Sequence, residues 1–191
     1  MKIQFAAFLL ACVLTSNAVA HELESNRATL VLRDRQHLTL TFFVDYARVL
    51  HQVLAPQRPL NDFVMTYSAM KPQEFQSQLQ EAQRMLQSGI TVTLHNGKTA
   101  ALTQWAWPQA KAVQAALQQR TMQAVVAPAD HAHAATMEIR AQASSSSSAS
   151  SSDFTTIKLQ LPPQFQQVLV VSYQPKQVWI KPDAPPAAIA F

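Results

Sequence analysis

Two neighbouring stretches alternate apolar and polar residues with period two: Ala28-Thr29-Leu30-Val31-Leu32-Arg33 and His37-Leu38-Thr39-Leu40-Thr41-Phe42. In an extended chain successive side chains point to opposite sides. Leu38, Leu40 and Phe42 therefore share one face, and His37, Thr39 and Thr41 the other. Such segments are half-buried strands, and Asp34-Arg35-Gln36 supplies a turn that makes them a hairpin. The alternation returns at Ile90–His95 and at Thr155–Leu161, where Ile157, Leu159 and Leu161 point inward. Asn96-Gly97 is a strong hairpin signal, because both turn residues tolerate positive φ. Its return strand runs from Lys98 towards Trp107. Ala134 to Gln142 reads as a further strand. Val168-Leu169-Val170-Val171 is apolar throughout, which predicts a central strand covered on both faces. Val178-Trp179-Ile180 makes a last short one, and the proline-rich end that follows is extended.

Helical spacing interrupts this pattern between residues 45 and 125. Asp45 is placed to cap a short helix carrying Tyr46, Val49, Leu50, Val53 and Leu54 on one face, and Pro56 and Pro59 stop it. Residues 60–70 fit either helix or strand. Pro72 suits the first turn of a longer helix, with Phe75, Leu79, Ala82 and Leu86 as its apolar stripe. Gly89 is expected to end it in the left-handed conformation. Another helix after Pro108 would align Val113, Ala116, Leu117 and Met122. About eight strands and two or three helices, with no alternating βαβ rhythm, predict a mainly β (α+β) fold. The expected architecture is an immunoglobulin-like antiparallel β-sandwich with those helices inserted.

The first 20 residues have a separate role. Lys2 precedes an apolar run from Ile3 to Leu14, Thr15-Ser16-Asn17 break it, and Ala18-Val19-Ala20 matches the small-x-small site of signal peptidase. The run is too short to span a bilayer. Residues 1–20 read as a signal peptide cleaved after Ala20, with residues 21–191 as one domain that carries a flexible Ser-rich loop at 143–153 and no transmembrane segment. Leu9-Leu10-Ala11-Cys12 resembles a lipobox. Cys12 lies close to Met1, however, the apolar run continues past it, and a good cleavage site waits downstream. The expected location is the periplasm.

Cleavage would remove Cys12, the only cysteine, so the mature domain has no disulfide, thiolate ligand or thiol nucleophile. The net charge is +4, but the basic residues are scattered, and Asp34 separates Arg33 from Arg35. A nucleic-acid footprint needs them concentrated on one face. Glycine occurs only at 89 and 97, which excludes a glycine-rich phosphate loop. GxSxG, HExxH and CxxC are also absent. No catalytic set is expected, unless Asp45, Asp62 or Glu138 meets a histidine in a cleft.

His21 would be the first residue after cleavage. A terminal amine and the ring of the same histidine can chelate Cu(II), and a second histidine completes three nitrogen ligands. Asp130-His131-Ala132-His133 offers that second ligand, so His21, His131 and His133 are the candidate metal residues and copper the candidate cofactor. His37, His51 and His95 each fit the exposed face of an amphipathic element. Trp105 and Trp107 project from one face of a strand, either as a core-facing aromatic pair or as a binding platform.

The opening AHELESNRATLVLR, followed by HLTLTFFVD, resembles the exported domains that precede HupE/UreJ-type membrane proteins. Those domains also begin with a histidine after the signal peptide. They continue with a strand pair, a short helical stretch, and a helix leading into a strand and an xDG-type turn, as Leu86 to Gly97 does here. The likeness is one of pattern over residues 20–102. The membrane helices of that family are missing, so transport is not implied. A leading histidine on an exported β-sandwich is also similar to CopC-type copper carriers, which implies metal handling in the periplasm. Together these features lead to two expectations. The first is a non-catalytic periplasmic β-sandwich that binds an envelope or membrane protein through an exposed apolar patch near Trp105 and Trp107. The alternative is a copper carrier or sensor built on His21.

Overall fold

The computed structural model describes residues 26–33, 36–126, 136–144, 154 and 156–175. Residues 1–20, expected to be a signal peptide, most of the Ser-rich tract and Val178–Ile180 lie outside the described residues. The first hairpin forms as expected. Strand β1 (Asn26–Arg33) pairs antiparallel with β2 (His37–Asp45), with Leu30 opposite Leu40 and Arg33 opposite His37. The alternating pattern sets this register, because a slip of one residue would turn the leucines to solvent.

Asp45 ends β2 and starts helix α1 (Tyr46–Leu54), its carboxylate accepting the Arg48 N–H at 3.1 Å. Helix α2 (Leu60–Ser68) resolves the ambiguous stretch as helix. Helix α3 (Pro72–Gly89) buries the expected stripe of Phe75, Leu79, Ala82 and Leu86. Helix α4 (Ala110–Val126) buries Val113 and Leu117, whereas Met122 faces solvent. Two glutamines of α4 donate to the end of α2: Gln114 to the Met70 carbonyl at 2.7 Å and Gln118 to the Ser68 carbonyl at 3.1 Å. They satisfy carbonyls that a helix C-terminus leaves without partners.

The remaining strands are β3 (Thr91–Leu94), β4 (Thr99–Ala100), β5 (Thr103–Ala106), β6 (Thr136–Ser144), β7 (Ile157–Gln160) and β8 (Val168–Tyr173). They form a five-stranded sheet of order β5-β6-β2-β1-β8 and a three-stranded sheet of order β4-β3-β7. The coarse expectation of an α+β chain with mainly antiparallel sheets holds. Four helices among the described residues exceed the two or three expected, because Leu60–Ser68 is helical. Strand β8 also runs parallel to β1, with Asn26 opposite Val168. This strand order does not by itself establish an immunoglobulin-like arrangement.

Two local expectations are corrected. In the Asn96-Gly97 turn only Gly97 has positive φ, +81°. The Gly97 N–H donates to the Leu94 carbonyl and the Leu94 N–H to the Lys98 carbonyl, so three residues make the loop. A loop of that length needs the left-handed conformation at its last position only. The return strand then divides, β4 staying with β3 while β5 crosses to the larger sheet. Gly89 is the last helical residue and is not left-handed. Its service is close approach: a Cβ there would lie 2.7 Å from Cβ of Pro162. Gly89→Ala gains helix propensity but must push Pro162 aside, for a net loss of about 1–2 kcal/mol in urea unfolding. An unchanged or raised midpoint would show that the contact yields freely.

Candidate partner-binding surface

The core fixes which face of the larger sheet is free. Ala28, Leu30, Leu38, Leu40, Phe42, Val44, Ile139, Ala141 and Ala143 all lie on one side and are buried. Residues of opposite parity, including Thr29, Val31, Thr39, Thr41 and Phe43, are only half-buried. Pairing registers arrange this outer face in rows running from β8 to β6. Leu169, Arg27, Phe43 and Glu138 form one row, Val171, Thr29, Thr41 and Arg140 the next, and Tyr173, Val31, Thr39 and Gln142 the third. Polarity is thus graded across the sheet. The β6 side carries the Glu138–Arg140 ion pair, and the Arg27 guanidinium lies over the Phe43 ring at 4.5 Å. At the β8 margin Leu169, Val171 and Tyr173 are 46%, 49% and 52% exposed.

Among the described residues strand β8 is therefore an edge strand, not the central strand its composition predicts. An asparagine and a turn place it there. Asn26 accepts the Asp45 N–H at 2.9 Å and donates to the Phe165 carbonyl at 2.7 Å. That bond ties the 3-10 turn Pro163–Phe165 to the start of β1. Phe165 itself is fully buried, its ring 5.6 Å from that of Phe42. With the turn anchored, the following residues have only the free side of β1 to pair with.

The inner side of β8 borders a cleft of about 510 Å³ between the sheets. Leu30, Leu38, Phe154, Ile157 and Val170 are among its apolar lining, and Ser172, Gln174 and Tyr173, at the end of β8, also border it. None of the ten lining residues is charged.

The tryptophans do not form the expected exposed patch. Trp105 and Trp107 stack on each other, centroids 5.4 Å apart and planes 13° from parallel. Both are half-buried against the core, and Trp105 donates its indole N–H to the Leu102 carbonyl at 3.2 Å. They meet the core-facing reading and not the platform.

His21, His131 and His133, the expected copper ligands, lie outside the described residues. Among the described residues no group of three or more His, Cys, Asp or Glu side chains could hold a metal ion. His37 and His95 are exposed as expected, but His51 is buried, its Nε2 2.6 Å from the Arg58 carbonyl and its ring edge-on to Phe63. It closes the α1–α2 connection.

Among the described residues Asp45 meets no histidine. Besides capping α1, it pairs with Arg48 Nε at 3.1 Å and accepts from Arg120 Nη1 at 2.9 and 3.1 Å. Glu138 is engaged by Arg140. Tyr46, buried beside them, has its phenol pushed well above the ordinary tyrosine value by desolvation, which the Gln83 hydrogen bond offsets only in part. Asp45 and Tyr46 thus tie α1 to α4 and α3, while the Glu138–Arg140 pair lies within β6.

No helix of the described residues is long and apolar enough to cross a membrane. No protein-family model, curated protein or solved structure matches the chain. Fold and surface define a class only: an α+β domain whose larger sheet leaves one edge and its adjoining face apolar and exposed.

Proposed function

We propose that the chain is an exported, non-catalytic protein of the cell envelope, and that it binds a protein partner through the β8 margin of the larger sheet. One observation carries this reading: Leu169, Val170, Val171 and Tyr173 follow one another on an edge strand, each about half exposed. Edge strands are normally blunted by charges, prolines, bulges or shortness, since an open apolar edge invites aggregation. Retaining such an edge makes sense if another protein covers it. The leader-like residues 1–20 support the periplasm as the place of that encounter. In this reading the sheets act as an immunoglobulin-like scaffold that presents one margin.

Photo-cross-linking in intact cells tests the proposal. A benzophenone side chain at Leu169 or Tyr173 is expected to give a reproducible adduct with one envelope protein, and the same group at Gln76 or Arg84 on α3 is not. Adducts of equal yield from both sets of positions, or none from β8, would count against it.

A further inference from the structure

The two edges of the larger sheet are built differently. Strand β5 has four residues, its register against β6 shifts between Thr103 and Ala106, and Gln104 sits at φ +51°. Bulge, shortness and twist together spoil an edge as a template. Strand β8 has none of these devices. Its six residues pair with β1 without a break from Val168 to Tyr173, and they include no charge and no proline. Among the described residues one edge is protected and the other is left ready to pair.

We propose that β8 pairs antiparallel with β8 of a second copy of this chain, about a two-fold axis through Val171. The inference rests on the reading of β8 as a docking margin and names its first occupant. Its argument is self-complementarity. Residues opposite each other in an antiparallel pair lie on the same face. With Val171 opposite its own copy, Leu169 meets the copy's Tyr173 and Val170 meets its Ser172. Every outer-face position then faces an apolar side chain: Leu169 faces Tyr173, and Val171 faces the same valine of the copy. No charge is brought against a like charge, although the chain as a whole carries +4. A two-fold axis perpendicular to the sheet keeps the outer faces continuous, as an isologous contact requires. The three apolar residues at the margin of one copy become six at the centre of a ten-stranded sheet. The proposed partner-binding face is thus completed by the second copy.

Cysteine cross-linking reads this register directly, because Cys12 is the only cysteine in the chain and falls in the leader. The full chain is expressed with its own leader, recovered from the cells and oxidised mildly. Val171→Cys should form a disulfide-linked dimer about tenfold or more faster than Gln76→Cys, since only the first sits beside its own copy at cross-strand distance. Leu169→Cys alone should lag, and the L169C/Y173C double variant should recover the rate. In sedimentation equilibrium the unsubstituted chain should show a reversible monomer–dimer equilibrium. Val171→Lys, which sets two ammonium groups against each other, should weaken it about tenfold with an unchanged melting curve.

A monomer at every concentration, with Val171→Cys no faster than Gln76→Cys, overturns the proposal and leaves the edge to an envelope protein or to residues 176–191. A dimer indifferent to Val171→Lys overturns it as well. If either result comes with position-specific adducts from Leu169, the docking margin stands and only its occupant is wrong. Loss of both the dimer and the adducts removes the margin itself.

Discussion

Replacing Phe42 with alanine lowers the unfolding free energy by about 3–5 kcal/mol, the range for a buried phenylalanine whose surroundings cannot collapse into the space. Phe42 has no solvent exposure and lies in the middle strand of the larger sheet, opposite Ala28 on one side and Ile139 on the other. Ala28 is too small to fill the vacated volume. Phe165, whose ring is 5.6 Å away, is held by the turn that Asn26 anchors. For a domain of this size such a loss lowers the melting temperature by roughly 10 °C or more. Ile139→Val, which removes one methylene from the neighbouring strand, should cost only about 0.5–1.5 kcal/mol. Equal effects of the two substitutions in urea unfolding would mean that Phe42 is not the centre of this layer.

Asp45→Ala is the second large loss, about 2–4 kcal/mol, and its origin is different. The carboxylate is a helix cap, a role whose removal costs about 0.5–2 kcal/mol. It also accepts charged hydrogen bonds from Arg120 of α4, worth about 1.5–3 kcal/mol each when a partner is left behind. The Arg120 side chain keeps 23% of its surface in solvent against 8% for Asp45, so its stranded charge is partly hydrated and the sum stays below that of a fully buried pair. Asp45→Asn separates the two roles. An asparagine caps as well as an aspartate but lacks the charge, so it should recover about 1 kcal/mol of the loss. If Asp45→Asn and Asp45→Ala are equally destabilised, the cap contributes nothing and the ion pair carries the effect.

Legibility in the sequence followed from how local the deciding force is. The β1–β2 hairpin, the Asp45 cap and the α3 stripe of Phe75, Leu79, Ala82 and Leu86 were all readable, because each depends on spacing within one element. Residues 60–70 were not readable. Val64 and Tyr67 bury themselves in the α1–α2–α4 packing, and that neighbourhood does not exist in the local pattern. His51 fits an exposed helix face until the Arg58 carbonyl and the Phe63 ring close over it. The apolar run Val168–Val171 was misread for the same reason. Lack of polar residues signals cover on both faces, but which strands flank a segment is decided by topology, here by Asn26 holding the Phe165 turn beside β1. No signal within the run itself distinguishes a buried strand from an uncovered edge. The useful contrast is with β5, whose bulge shows how this chain protects an edge when it has no use for one.

Strand β8 is an open edge among the described residues and, in the proposed working state, a covered one. Residue-resolved hydrogen exchange on dilute protein tests it most directly. In a parallel ladder alternate N–H groups point to the neighbour and the others point away. The account predicts that alternate amides between Val168 and Tyr173 exchange within the dead time, whereas those aimed at β1 are protected as the β1 and β2 amides are. Raising the protein concentration should protect the fast set and leave the rest unchanged. Uniform protection of Val168–Tyr173 in dilute solution, at the level of β2 and independent of concentration, would contradict the account, because the edge would already be covered.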